Sequence, residues 1–284
     1  MRGENTIQLN DLLIQGVRCR VAQVGDTTSD EAVVFVHGNP GSRFDWYGVL
    51  PQVGAFSRAV APCMPGYGEA DHPAEFDYTV EGYARYLDAM LSELAIENVH
   101  LVLHNFGGPW GLRWAADNVE RVKSVVLTNT GVLEAYHWHK YARIWQTPIL
   151  GELFQLLTIH PVLRLSLNLD NPKPMPLEFT RRMASHSDWG HKRAVLTLYR
   201  NSRSTAALFE LVASALSGRN IPCRVIWGQG DLYIPHEYAE RQKRYFDAEV
   251  ISYPDSGHWP MIDEPQRYAD DVLEFLRKQC LIAA

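Results

Sequence analysis

The sequence predicts an α/β fold, a mostly parallel sheet flanked by helices and interrupted by an inserted all-helical segment. Three observations predict it. Strand-like and helix-like patterns alternate over residues 1–131, no β-branched run occurs over 132–217, and the alternation resumes over 218–284. The expected organisation is therefore a core in two parts, 1–131 and 218–284, with a helical cap between them.

Each element has its own signal. GVRCRVAQVG (16–25) alternates like a half-exposed strand, whereas EAVVFVHG (31–38) is a continuous apolar run ending in glycine, as a strand buried on both faces should be. FSRAVAPCMPGYG (56–68) reads as strand then turn. TVEGYARYLDAMLSELA (79–95) places Tyr83, Tyr86, Leu87, Met90, Leu91 and Leu94 on one helical side, with Thr79 as N-cap. NVHLVLHN (98–105) is a strand, GPWGLRWAADN (108–118) a helix and VKSVVLTNTG (122–131) a strand. The cap segment is rich in Trp, Tyr, Leu, His and Arg, and is broken at Pro148, Pro161 and Asn171–Pro176. Strand and turn then return in IPCRVIWGQGD (221–231), a helix in HEYAERQKRYF (236–246), strand and loop in AEVISYPDSGH (248–258) and a closing helix in EPQRYADDVLEFLRKQ (264–279).

Composition narrows the function. The chain of 284 residues carries a net charge of −6 and no basic run, which gives no electrostatic case for nucleic acid or an anionic membrane. Cys19, Cys63, Cys223 and Cys280 are scattered without a CxxC pair, so four reduced thiols and a cytoplasmic location are expected. The N-terminal MRGENTIQLNDLL lacks the apolar stretch of an export signal, and no window reads as a membrane span. His137 and His139 do not share a helical face, so neither a metal nor a cofactor is expected. Asp45 and Glu134 read as solvated or capping residues.

The chemistry gathers in loops that follow strands, because such loops meet at one edge of a parallel sheet. The stretch VHLVLHNFGGPWGL (99–112) runs from strand to helix through Asn105, with Gly107 and Gly108 permitting a tight turn. That is the pattern of a nucleophile elbow, where the apex side chain is forced outward. HGNPGS (37–42) lies upstream; Asp231 and His258 follow, completing the chain order of nucleophile position, acid and histidine. A carboxylate-held imidazole can take a proton from water or a hydroxyl. Backbone N–H groups of Asn39 and Phe106 are candidates for an oxyanion or leaving-group hole.

With HGNP at 37–40, PGYG at 65–68, the elbow at 103–108, GQGD ending at Asp231 and GHWP at 257–260, the chain resembles the α/β-hydrolase superfamily, within it the epoxide hydrolase and haloalkane dehalogenase branch. The resemblance covers nearly the whole chain. It implies an α/β-hydrolase core with a helical cap, and places Asn105 at the nucleophile's position, Asp231 at the acid's and His258 at the base's. Members of that branch carry Asp at the elbow and form an ester that activated water hydrolyses; the departure here is the amide. The resemblance also implies a cap tyrosine as proton donor, for which Tyr199 is the match. Tyr141, Tyr136 and Trp145 are less securely placed candidates for a second. Dehalogenases of the branch carry Trp after the nucleophile, where this chain has Phe106, although Asn39 is a residue many of them share.

The expected function is epoxide opening to a diol, with haloalkane dehalogenation and a catalytically inactive or non-hydrolytic acid/base homologue as alternatives. The substrate is expected to be small, uncharged and hydrophobic, held against His37, Pro40, Tyr141 and Trp145, with His37 chiefly shaping its turn. An amide keeps a carboxylate's shape and removes its attack, so with Asn105, either an engineered substitution that traps substrate or a natural loss, the ester route is expected to be absent or very slow.

Overall fold

The computed structural model describes residues 6–282; residues 1–5, where the stretch read for an export signal begins, lie outside the described residues. Eight strands form one sheet in the order β1-β2-β4-β3-β5-β6-β7-β8. They are β1 Gln8–Ile14, β2 Val17–Val24, β3 Glu31–Val36, β4 Arg58–Pro62, β5 Asn98–His104, β6 Val122–Thr128, β7 Pro222–Gly228 and β8 Asp247–Tyr253. β2 pairs antiparallel with both β1 and β4, and every other pairing is parallel.

The helices are α1 Leu50–Val53, α2 Val80–Glu93, α3 Gly107–Asp117, α4 Lys140–Gln146, α5 Leu150–Leu157, α6 His160–Asp170, α7 Leu177–Ser185, α8 Trp189–Asn201, α9 Ala206–Leu216, α10 Glu237–Arg241, α11 Pro260–Asp263 and α12 Pro265–Ile282. Among them none is long and apolar enough to cross a membrane. Alternate residues of the central strands feed two cores. Val34, Val36, Leu101 and Leu103 pack with α2, α3 and α9, whereas Val33, Phe35 and Val102 pack with α1 and α12. This double burial is why β3 and β5 read as unbroken apolar runs.

Local chemistry explains the boundaries. The Thr79 side chain accepts the Gly82 N–H at 3.0 Å and caps α2. Gln15 and Gly16, both at positive φ, turn β1 into β2. β1 carries no clear sequence signal, and its pairing buries β2 more fully than the half-exposed alternation suggests. The helix expected over 236–246 shortens to α10 followed by a tighter turn at Gln242–Arg244. There Gln242 is fully buried; its Oε1 accepts the Val132 N–H at 2.9 Å and its Nε2 donates to the Val132 carbonyl at 3.1 Å. Gln242 thereby ties the second part of the core to the first residue of the cap segment. Within that segment α4 packs on α5 and α8, and α6 on α7, while α9 packs on α3 beside the sheet. Asp45 is buried and accepts the Ser42 N–H at 3.1 Å, and Glu134 accepts the Tyr245 hydroxyl at 2.6 Å.

Candidate active site

Asn105 ends β5 with φ of 51°, a left-handed conformation that Asn tolerates better than most side chains. Only small residues allow this turn to sit where it does. A Cβ on Gly107 would meet the Val36 carbonyl oxygen at 2.1 Å, and one on Gly108 would meet Thr130 Oγ1 at 1.9 Å. The Thr130 hydroxyl instead donates to the Asn105 carbonyl at 2.6 Å and holds the apex from below.

The side chain of Asn105 closes a chain of hydrogen bonds. The backbone N–H of Asn39 donates to its Oδ1 at 2.8 Å, and since an N–H can only donate, that atom is the amide oxygen. The amide nitrogen therefore faces His258 Nε2 at 2.8 Å and donates to it. His258 Nδ1 donates in turn to Asp231 Oδ2 at 2.7 Å. Asp231 Oδ2 also receives Asn129 Nδ2 at 2.7 Å, and its Oδ1 receives the Tyr233 and Ile234 N–H groups at 2.7 and 3.0 Å. Four donors thus fix one carboxylate behind the imidazole. His258 is held from its other side by its own carbonyl, to which His104 Nε2 donates at 2.8 Å.

Asn39 also reaches α8. Its Nδ2 donates to the Tyr199 hydroxyl at 3.3 Å, so one residue touches both the elbow side chain and the cap phenol. Burial pushes the Tyr199 phenol up, which keeps it a proton donor at neutral pH. The Phe106 N–H lies beside Gly38, where a Cβ would come within 2.6 Å of its nitrogen, so the glycine keeps that approach open.

Between the sheet edge and helices α4–α8 lies an apolar cavity lined by Asn39, Pro40, Asn105 and His258, with Tyr141, Trp145, Phe154 and Tyr199 from those helices. A second, smaller space shares Asn105, His139, Tyr199 and Tyr233 with it. Phe106 faces this second space, its ring stacked on Trp138 at 5.9 Å and edge-on to Tyr199 at 5.1 Å.

Some sequence expectations need correction. His37 does not line the cavity: it is fully buried, its Nδ1 donates to the Gly38 carbonyl at 2.8 Å and its Nε2 accepts the Met64 N–H at 3.0 Å. Both nitrogens are spent on shaping the loop. Tyr136 is not free to donate to a substrate, because its hydroxyl donates to the Tyr233 carbonyl at 2.9 Å. Trp145 keeps its candidacy, with Nε1 buried and unpaired and its ring 4.7 Å from that of Tyr199.

Three contributors escaped the sequence reading. Asn129 and Thr130 follow β6 in a loop that carried no motif, and act by hydrogen bonding to Asp231 and Asn105. His139, considered only as a metal ligand, lines both spaces. Its Nδ1 accepts the Ala142 N–H at 3.3 Å, which leaves Nε2 to carry the ring proton; burial lowers it to about 3, so it is neutral. Ligand atoms also converge far from the cavity, at the opposite end of β3 and β5. There Glu31, His100 and Cys280 each bring one within 4.8 Å of the others, a grouping invisible in spacing along the chain. His100 already bonds both Glu31 and Ser124.

This core, its elbow and the order of its triad positions define an α/β-hydrolase. A profile of the alpha/beta hydrolase family matches residues 33–271, and the chain belongs to that family. A haloalkane dehalogenase of Agrobacterium fabrum is 38% identical, over 97 residues that make up 34% of this chain and 32% of that enzyme. A cis-3-alkyl-4-alkyloxetan-2-one decarboxylase of Xanthomonas campestris is 26% identical over 88% of this chain and 90% of its own length. In structure, a haloalkane dehalogenase from Bradyrhizobium elkani aligns with a TM-score of 0.85 at 21% identity, covering 98% of this chain and 100% of its own. An epoxide hydrolase from Vigna radiata aligns at 0.79 and 21%, covering 96% and 98%.

Proposed function

We propose that this protein is an epoxide hydrolase-type enzyme whose elbow is held silent by Asn105. The observation that carries this reading is Asn39, which bonds the elbow side chain with its backbone and the cap phenol with its side chain. A strained oxygen ring presented between Asn105 and Tyr199 would meet an attacking position on one side and a proton donor on the other. With a carboxylate at position 105, that oxygen attacks a ring carbon, the C–O bond breaks, and the released alkoxide takes the Tyr199 proton. Trp145 Nε1 is the second donor in this scheme. His258, oriented by Asp231, then takes a proton from water, which adds to the ester carbonyl, and the Asn39 N–H holds the resulting oxyanion. Collapse of that oxyanion breaks the ester C–O bond, the leaving diol oxygen takes the proton back from His258, and the proton of the regenerated carboxylic acid returns through solvent to the Tyr199 phenolate. Apolar groups on the ring carbons would occupy the two spaces that meet at Asn105.

With the amide, attack is absent and the His258 lone pair is occupied, so the site binds and does not esterify. The dehalogenase reading is less well supported, because the side chain of Phe106 adds no N–H and its ring is engaged with Trp138. A second reading rests on the near full-length relative named for an oxetan-2-one, another strained oxygen ring that would ask the same of the cavity. The test is Asn105→Asp, offered a disubstituted epoxide, a β-lactone and a haloalkane in parallel. Diol formation from the epoxide supports the proposal, and loss of that activity by about 10²-fold or more with an added Tyr199→Phe supports the donor role. Alkene and carbon dioxide from the lactone alone, or halide alone, would transfer the site to the other chemistry.

A further inference from the structure

The cap exposes an apolar surface that no described residue covers. On α5, Leu153 and Leu157 are 53% and 68% exposed; on α6, Leu165 and Leu169 are 60% and 73% exposed, with Ile149 and Ile159 exposed at the helix starts. Each leucine pair is spaced i, i+4 and so lies on one side of its helix. Isolated exposed apolar residues are ordinary, but a run on two successive helices marks an interaction surface.

Two further facts say what occupies it. The same helices wall the large cavity through Phe154, Thr158, Val162 and Leu163, and Val162 is itself 42% exposed, so the apolar surface is continuous with the cavity wall. The chain as a whole gives no electrostatic case for an anionic membrane, but its charge is uneven. Between residues 139 and 185 six Lys and Arg stand against three carboxylates, in a chain whose net charge is −6. Of those carboxylates, Glu152 is paired with Arg200, and Asp170 is buried and paired with Lys140; of the cations, Lys173 is paired with Glu264 and Arg182 with Asp45, so Arg143, Arg164 and Arg181 stand against Glu178. Leucines exposed on two helices too short to span, with the exposed Arg164 next to Leu165 on α6, are the composition of an element that lies in a lipid interface. A second copy of the chain seated there would obstruct the cavity it adjoins, whereas a lipid surface would feed it.

We infer that α5 and α6 dock the protein on an anionic lipid surface, so that an apolar substrate passes from the lipid phase into the cavity. The inference does not depend on the chemistry at Asn105. Flotation of the full chain with vesicles of phosphatidylcholine and phosphatidylglycerol tests it, beside vesicles of phosphatidylcholine alone. The protein should float with the mixed vesicles, less with the neutral ones and less at high salt. The double variant Leu153→Glu, Leu157→Glu, with an unchanged circular dichroism spectrum and unfolding midpoint, should lose about tenfold or more of that partition. Neither substitution touches the cavity lining. Wild-type protein that stays with the aqueous phase in both mixtures, or a double variant that floats equally well, overturns the inference. So does a wild-type dimer in sedimentation that the double variant converts to monomer without any vesicle binding; the surface then belongs to a second copy. Should the double variant misfold, Leu165→Gln with Leu169→Gln repeats the comparison from α6.

Discussion

The amide nitrogen of Asn105 stands 2.8 Å from Nε2 of His258 and occupies the lone pair that a general base needs. The two side chains lie far apart in sequence yet satisfy one another, one as donor and one as acceptor. It follows that His258 carries its proton on Nδ1, facing Asp231. Nitrogen-15 spectra of labelled protein at neutral pH should show this tautomer for His258. A proton on Nε2 instead would mean that the amide is turned over and the oxygen–Asn39 contact is lost.

Tightness of the elbow predicts a contrast between glycines. Gly107→Ala places its Cβ 2.1 Å from a backbone oxygen of β3, which cannot swing aside, and should cost about 3 kcal/mol or more. Gly48→Ala meets nothing within 4 Å and should stay within about 0.5 kcal/mol of wild type. Denaturant midpoints of the two variants check this, and equal midpoints would contradict the close packing described for the elbow.

Buried histidines predict an acid-side loss of stability. Burial lowers His37 and His191 to about 4 from the usual 6.5, and His139 to about 3. Between these values and 6.5 the unfolded chain binds the additional protons, so stability is full above 6.5 and falls as pH drops toward 4. Each group withdraws on the order of 2 kcal/mol by pH 5. Asp45 works in the opposite sense, because burial raises it to about 7 and its folded form gains stability as pH falls. Three histidines outweigh one carboxyl, so the unfolding midpoint should fall from pH 7 to pH 5, and more steeply in Asp45→Asn. A flat or rising midpoint would contradict the neutral burial of these rings.

The legible parts of the sequence were those where one segment decides its own role. β3 and β5 announce their double burial by continuous apolar runs, and the turn at Asn105 announces itself by a glycine pair that leaves no room for a Cβ. What stayed hidden depends on partners distant in the chain. β1 becomes a strand by pairing with β2, and its own alternation is faint. Asn129 matters because β6 ends beside Asp231, and His139 because the N-cap of α4 fixes its tautomer at the cavity wall. His37 shapes its turn as its motif implies, but its expected place against the substrate fails, since a motif names a loop and does not say which side of it faces the substrate.

On the proposed function this elbow lacks a charge and nothing else. The most direct measurement is the mass of the intact protein and of its proteolytic peptides for Asn105→Asp combined with His258→Gln after exposure to a disubstituted epoxide. Without the base the ester should accumulate, giving a gain of one substrate mass on the peptide that contains position 105, while wild-type protein gains none. No adduct in the double variant, or epoxide turnover by the wild-type chain with Asn105 unaltered, would contradict the account.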